Sequence, residues 1–253
     1  TNGNFSQIGS EEITNGSFSQ EGSELILNGD FATDTDWTIT NLTGGTTNIS
    51  GGSLNIITDG AFSSAEQSGI LTSGNSYVLT YTITSNAVVG VLQATIGTAT
   101  VSITIPSTIG THTVYFKSAS GIGLFAFKRG GGALNVSIDN VSVKEVGQNW
   151  SLGTGWSIGD DKVVYDGLSG TQQIISGGAS VAPQVGKTYK VSFDVLEQGS
   201  GANSAFFGGV LFSSANLAVG SYVFYVKATS TSRFGIFGRN GSVFSITNIS
   251  VKE

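Results

Sequence analysis

A nine-residue phrase closes two halves of this chain: Ser137-Ile-Asp-Asn-Val-Ser-Val-Lys-Glu145 returns as Ser245-Ile-Thr-Asn-Ile-Ser-Val-Lys-Glu253. A last strand that recurs after about a hundred residues means two copies of one β-module in tandem. Landmarks between the phrases agree, since Trp37 answers Trp150, Tyr77 answers Tyr189, Tyr115 answers Tyr225 and Lys144 answers Lys252. The offset shrinks from 113 to 108 along that series. The second copy has therefore lost loop residues while keeping its strands.

Period-2 patterning supplies the fold class. Tyr77, Leu79, Tyr81 and Ile83 alternate with polar or small partners, as do Tyr189, Val191, Phe193 and Val195. Each run predicts a half-buried antiparallel strand. In the closing strands the phase slips, from Val136 and Ile138 to Val141 and Val143, and from Phe244 and Ile246 to Ile249 and Val251. The slip predicts a bulge or a sheet-switching bend at Asp139-Asn140 and Thr247-Asn248. No stretch carries a helical period, and two Pro with abundant Thr, Val, Ile and aromatics fit an all-β chain. The expected architecture is an N-terminal arm over residues 1–26, a β-sandwich over 27–146 and a second over 147–253.

The arm has its own repeat. Asn2-Gly-Asn-Phe5 returns as Asn15-Gly-Ser-Phe18 and again as Asn28-Gly-Asp-Phe31, at a period of 13. Only the third copy runs directly into a module. The first two either lie free, as exposed termini do, or lie on a neighbouring subunit as added strands anchored by Phe5 and Phe18.

Composition excludes several roles. With 11 Lys+Arg scattered singly and a net charge of -6, no basic stripe is available for nucleic acid. No apolar run reaches the roughly 18–20 residues of a membrane-spanning helix. There is no Cys and one His, His112, so His/Cys metal sites and Cys-His dyads are excluded and no enzyme is expected. The acidic groups Asp30, Asp34, Asp36 and Asp160, Asp161, Asp166 read as turn residues rather than a glycosidase pair. Thr1-Asn-Gly-Asn-Phe5 carries no export signal, and Thr1 suits equally a chain whose initiator Met is trimmed and one that is processed or truncated.

Asn28-Gly-Asp-Phe31, Trp37, the Tyr77 strand and Ile138-Asp-Asn-Val-Ser-Val143 together resemble the jelly-roll carbohydrate-binding modules attached to xylanases and glucanases. The wording of Gly153-Thr-Gly-Trp-Ser-Ile-Gly-Asp160 and Val143-Lys-Glu-Val146 is similar to modules of bacteriophage virion proteins, among them head and tail fibres and capsid decorations. The resemblance implies a jelly-roll sandwich and a non-enzymatic structural protein on the virion surface, assembled in the host cytoplasm. Its implied partners are further copies of itself (a trimer by analogy with fibres), the capsid shell and a host polysaccharide. A stand-alone carbohydrate-binding protein and an extracellular bacterial filament subunit are the alternatives. In the enzyme-linked family a structural calcium bridges an opening acidic residue and an Asp of the last strand. Here Ala32 stands at the first position; Asp139 keeps the second in module one, and Thr247 replaces it in module two. Calcium is thus implied at most in module one.

A sugar site needs flat rings with a few polar groups to orient the ligand. Trp37 and Trp150 recur at matching positions, as core residues do. Trp156 is private to module two and is the better ligand candidate, with Tyr165 close in sequence and Trp37 as a further platform.

Overall fold

The computed structural model describes residues 8–167, 171–177, 180–199, 201, 203–211, 217–239 and 241–253. The described residues form β-strands, turns and loops, with no helix.

In module one a short β1 (Glu21–Glu24) precedes β2 (Thr38–Asn41), β3 (Asn48–Ser50), β4 (Ser53–Thr58), β5 (Ser63–Gln67) and β6 (Ser76–Val88). There follow β7 (Val91–Gly97), β8 (Ser102–Thr104), β9 (Gly110–Lys117), β10 (Leu124–Gly131) and β11 (Leu134–Val146). One sheet runs β3-β4-β11-β6-β9, with β1 added on β11, and the other runs β2-β5-β10-β7-β8. Trp37, Tyr77, Tyr81, Phe125, Phe127, Val136 and Ile138 fill the space between them.

Module two repeats this order strand for strand. It has β12 (Trp150–Leu152), β13 (Trp156–Gly159), β14 (Lys162–Tyr165), β15 (Gln172–Ser176) and β16 (Thr188–Gln198). Then come β17 (Asn203–Phe207), β18 (Val210–Leu211), β19 (Gly220–Lys227), β20 (Gly235–Gly238) and β21 (Phe244–Lys252). The sheets are β13-β14-β21-β16-β19 and β12-β15-β20-β17-β18. Two tandem antiparallel sandwiches, as the alternation predicts, make up the chain.

The phase slip is a bulge, not a change of sheet. Asn140 and Asn248 take φ of 51° and 53°, a left-handed conformation that Asn tolerates better than most residues. One residue is thereby absorbed, and Val136, Ile138, Val141 and Val143 all face the same core. Upstream of its bulge β11 pairs with β4, and downstream it receives the segment that opens the module.

The opening segments decide where the units end. In module one Leu25 N donates to Val143 O at 3.0 Å, Val141 N to Gly29 O at 2.8 Å and Val143 N to Glu24 Oε1 at 2.9 Å. Trp37 Nε1 donates to Asn28 O at 3.2 Å, and its ring packs on Phe31. The same set appears in module two, thirteen residues earlier on the segment side. Glu12 N donates to Val251 O at 2.8 Å, Ile249 N to Gly16 O at 2.9 Å, Val251 N to Glu11 Oε1 at 2.7 Å and Trp150 Nε1 to Asn15 O at 2.9 Å. Phe18 packs on Trp150 and is 2% exposed.

The chain therefore divides into Gly22–Glu145 and a second unit made of Val146–Glu253 with the N-terminal residues up to Glu21. The division falls at 21/22 and 145/146, where the sequence reading puts boundaries at 26/27 and 146/147, and Phe18 packs on Trp150 of its own chain. Module two lacks an opening motif directly before Trp150, so its bulged strand and Trp150 carry unfilled backbone and ring partners. The second copy of the motif supplies them from across an entire module. Phe5 and the first copy lie outside the described residues.

Paired tyrosines seal loops to the sandwiches. Tyr77 Oη accepts from Thr72 N at 2.6 Å, and Tyr189 Oη accepts from Gln184 N at 2.9 Å. Tyr81 Oη donates to Pro106 O at 2.6 Å, and burial raises its pKa well above the ordinary 10.0; burial raises Tyr77 in the same direction. The unfolded chain ionises these hydroxyls near their ordinary pKa while the folded chain holds their protons. Their contribution is complete below about pH 10 and is lost as pH rises beyond it. Tyr81→Phe is expected to cost about 1 kcal/mol at neutral pH and to make the alkaline loss shallower. Denaturant unfolding at about pH 8 and about pH 11 measures this; equal losses in both proteins would refute it.

Candidate functional site

Adjacent residues of a strand face opposite ways. In β17, Phe206 and Phe207 are neighbours; Phe207 is buried against Tyr189, so Phe206 is on the outside. In β20, Phe234 lies just before the strand in the core and Ile236 is fully buried, which puts Gly235 and Phe237 outside. Register then brings the outer residues together. Phe206 pairs with Gly235 and Ser204 with Phe237.

The two rings lie 4.8 Å apart between centroids at 32°. A Cβ on Gly235 would fall 2.3 Å from the Phe206 ring, so the absent side chain lets that ring lie down on the sheet. Around the pair stand Gln173, opposite Phe237; Ile175, opposite Gly235; and Leu211, opposite Phe206 and 50% exposed. Exposed Arg239 donates from Nη2 to Ser204 Oγ at 3.4 Å, placing a cation at the edge of the aromatic patch. The result is a half-buried apolar platform with the exposed Gln173 amide and Arg239 guanidinium at its margin, the Ser204 hydroxyl being buried beneath it.

The matching face of module one has the same geometry and different chemistry. Its cross-strand rows are Thr38–Glu66–Ala126–Thr95 and Thr40–Ser64–Lys128–Gln93. No aromatic ring lies in either row, and Lys128 Nζ reaches Ala99 O at 3.4 Å.

The rings singled out from sequence are elsewhere. Trp156 is 1% exposed, Tyr165 0% and Trp37 7%. Trp156 packs on Tyr165 and Phe244, and Trp37 on Phe31, Phe125 and Phe127. All three are core residues with no face open to a ligand. The run Trp156-Ser157-Ile158 already carried this answer, because its alternation turns Trp156 and Ile158 to one side together. Phe206-Phe207 carried the opposite signal, since one of two adjacent strand aromatics must point away from the core.

The acidic and histidine candidates serve turns. Asp36, Asp160 and Asp161 have positive φ, and Asp30 Oδ1 accepts from Ala32 N. His112 Nε2 meets Thr108 O at 2.6 Å, and its ring packs on Tyr81. Asp139 closes on Asn140, accepting from its N at 2.6 Å and its Nδ2 at 3.2 Å. The carbonyls of Thr33 and Thr35 are both taken by Asn28 Nδ2. Among the described residues no three His, Cys, Asp or Glu side chains gather, whereas calcium takes about six to eight oxygens. These donors do not fit a calcium site around Asp139.

No protein family and no curated protein matches this chain. Solved structures of similar fold include a tandem CBM22 pair from Xyn10C of Paenibacillus barcinonensis, 11% identical over 92% of this chain and 98% of that one, with a TM-score of 0.37. A CBM4 structure is 16% identical over 53% of this chain and 99% of its own, at a TM-score of 0.33. The enzymatically active domain of tailspike protein 4 of bacteriophage CBA120 is 16% identical over 48% of this chain and 21% of its own, at a TM-score of 0.36.

Proposed function

We propose that the chain is a non-catalytic glycan-recognition protein whose contact surface is the Phe206–Phe237 face of module two. The observation that carries this reading is the pair of half-buried rings laid against the outer side of a sheet, with exposed Gln173 and Arg239 beside them. A pyranose presents an apolar C–H face and equatorial hydroxyls. Rings match the first and the amide and guanidinium match the second. Nothing in this arrangement supplies a nucleophile or a paired acid and base.

The Asn-Gly-x-Phe openings and the Val-Lys-Glu closings, worded as in phage virion modules, support display on a virion as a fibre or capsid-decoration component. In that setting the polysaccharide is one of the host surface, and weak single contacts gain strength from many copies.

Phe206→Ala and Phe237→Ala are each expected to weaken binding about tenfold or more, equivalent to about 1.4 kcal/mol, with little change in melting because neither ring belongs to the core. Titration of immobilised bacterial and plant polysaccharides measures this, with Glu66→Ala on module one as a control surface. Binding untouched by both Phe substitutions, or a wild-type protein silent on every polysaccharide, would overturn the reading.

A further inference from the structure

The outer face that carries Phe206 and Phe237 bears charge of one sign only. Of the chain's three arginines, Arg129, Arg233 and Arg239, the last two flank β20. Ser176 N donates to Phe234 O at 2.8 Å, so the β20 ladder extends one residue before Gly235. Arg233, next to buried Phe234, then falls in the outer phase. The outward series along the strand is Arg233, Gly235, Phe237 and Arg239. Because the Phe206 ring lies over Gly235, the series reads cation, ring, ring, cation over about 20 Å. The cross-strand rows through the two rings run from Ser151 to Leu211 and from Gln173 to Ser204 and contain no Asp or Glu. The matching rows of module one hold both Glu66 and Lys128.

Resting on the glycan reading of this face, we infer that its ligand is an acidic polysaccharide, a sugar chain whose carboxylates pair with Arg233 and Arg239 while its sugar rings lie on Phe206 and Phe237. Among the described residues neither guanidinium is in a salt bridge, whereas Lys162 meets Glu197 at 3.4 Å and Lys187 is paired with Glu253. Arg239 is also held in place. Its N donates to Ser242 Oγ at 2.9 Å, its O accepts from the same hydroxyl at 2.6 Å, and Ser242 is fully buried. This turn fixes where the exposed guanidinium leaves the sheet, and the single contact from Nη2 to Ser204 leaves its other N–H donors open to a ligand. A planar carboxylate takes two such donors in parallel, a stronger match than a neutral hydroxyl makes. A neutral sugar laid on the rings would crowd the guanidinium without supplying a counter-charge. The chain as a whole carries a net charge of -6, so this is a face where a polyanion meets cations and no opposing carboxylate in the rows beside the rings.

The test compares acidic polysaccharides with their own carboxyl-reduced forms, which keep the sugar backbone and remove the charge. Polygalacturonate, alginate and hyaluronan, each before and after carboxyl reduction, are titrated against the full chain, with dextran sulfate as a plain polyanion. An acidic polymer is expected to bind about tenfold or more tighter than its reduced form. Arg233→Gln and Arg239→Gln should each lower that ratio about threefold or more, and added salt should lower it further. Phe206→Ala should weaken binding of both forms, because it removes the shared stacking surface. Four results would overturn the inference: equal binding of acidic and reduced forms, preference for the reduced forms, a ratio untouched by both Gln substitutions, or dextran sulfate binding as tightly as the best carboxylated polymer. In each of these the response to Phe206→Ala still judges the glycan reading separately. Silence on every polymer would overturn both.

Discussion

Phe18→Ala is expected to unfold module two at temperatures where module one remains native. Phe18 sits at the far end of the sequence from most of its neighbours, but it is 2% exposed and its ring lies 5.0 Å from that of Trp150. It also holds a φ of 58°, a conformation that bulky residues rarely take and that packing must over-determine. Removing the ring leaves the cavity and keeps the strain. The cost is about 3–5 kcal/mol, a large part of the stability of a module of this size. The module-two transition should fall by more than about 10 °C while the transition of module one, reported by Trp37 fluorescence in a Trp150→Phe/Trp156→Phe background, stays in place. A melting profile equal to that of the unsubstituted protein would show that residues 8–21 are an appendage rather than part of the sandwich.

Gly29→Ala tests the same joint in module one by a different force. Gly29 does not need a positive φ; it needs room, because a Cβ would lie 2.0 Å from Val141 O. That oxygen belongs to the bulged closing strand, and Val141 N is bonded to Gly29 O at 2.8 Å, so neither backbone can retreat without giving up the bond. The substitution should cost about 3 kcal/mol, the upper end of the range for overpacking, and should loosen Glu24–Phe31 from β11. Gly51 is the contrasting site: its φ is 63° and nothing lies within 4 Å of an added Cβ, so Gly51→Ala carries only the conformational penalty of about 1 kcal/mol. Equal destabilisation at the two sites, measured by denaturant unfolding, would remove close packing as the reason for the glycine. Gly16, whose Cβ would lie 1.9 Å from Ile249 O, repeats the constraint in module two.

Much of this was legible in the residues. The repeated closing phrase and the alternation around Tyr77 and Tyr189 specify two sandwiches, because period 2 is a local property of strands. The slip between Ile138 and Val141 announced a bulge for the same reason, and the structure chose the bulge over the sheet switch by giving Asn140 and Asn248 positive φ. Even the face of Trp156 was implied by its alternation with Ile158. The site was harder to find, since Phe206-Phe207 shows that one ring leaves the core, and only the register of β17 on β20 shows that it meets Phe237.

What the sequence by itself determined is the set of parts: two modules, their strands, and a motif written three times. Where the second copy of that motif goes was decided only in three dimensions. Asn15-Gly-Ser-Phe18 reads the same whether free, bound to a neighbour or bound to its own chain, because its strand partners lie about 235 residues away at Ile249–Glu253 and no local pattern encodes a pairing at that distance. The tertiary structure settles it through unmet needs: module two offers the free carbonyl and amide of its bulged strand and the Trp150 ring, and the segment from before module one satisfies them.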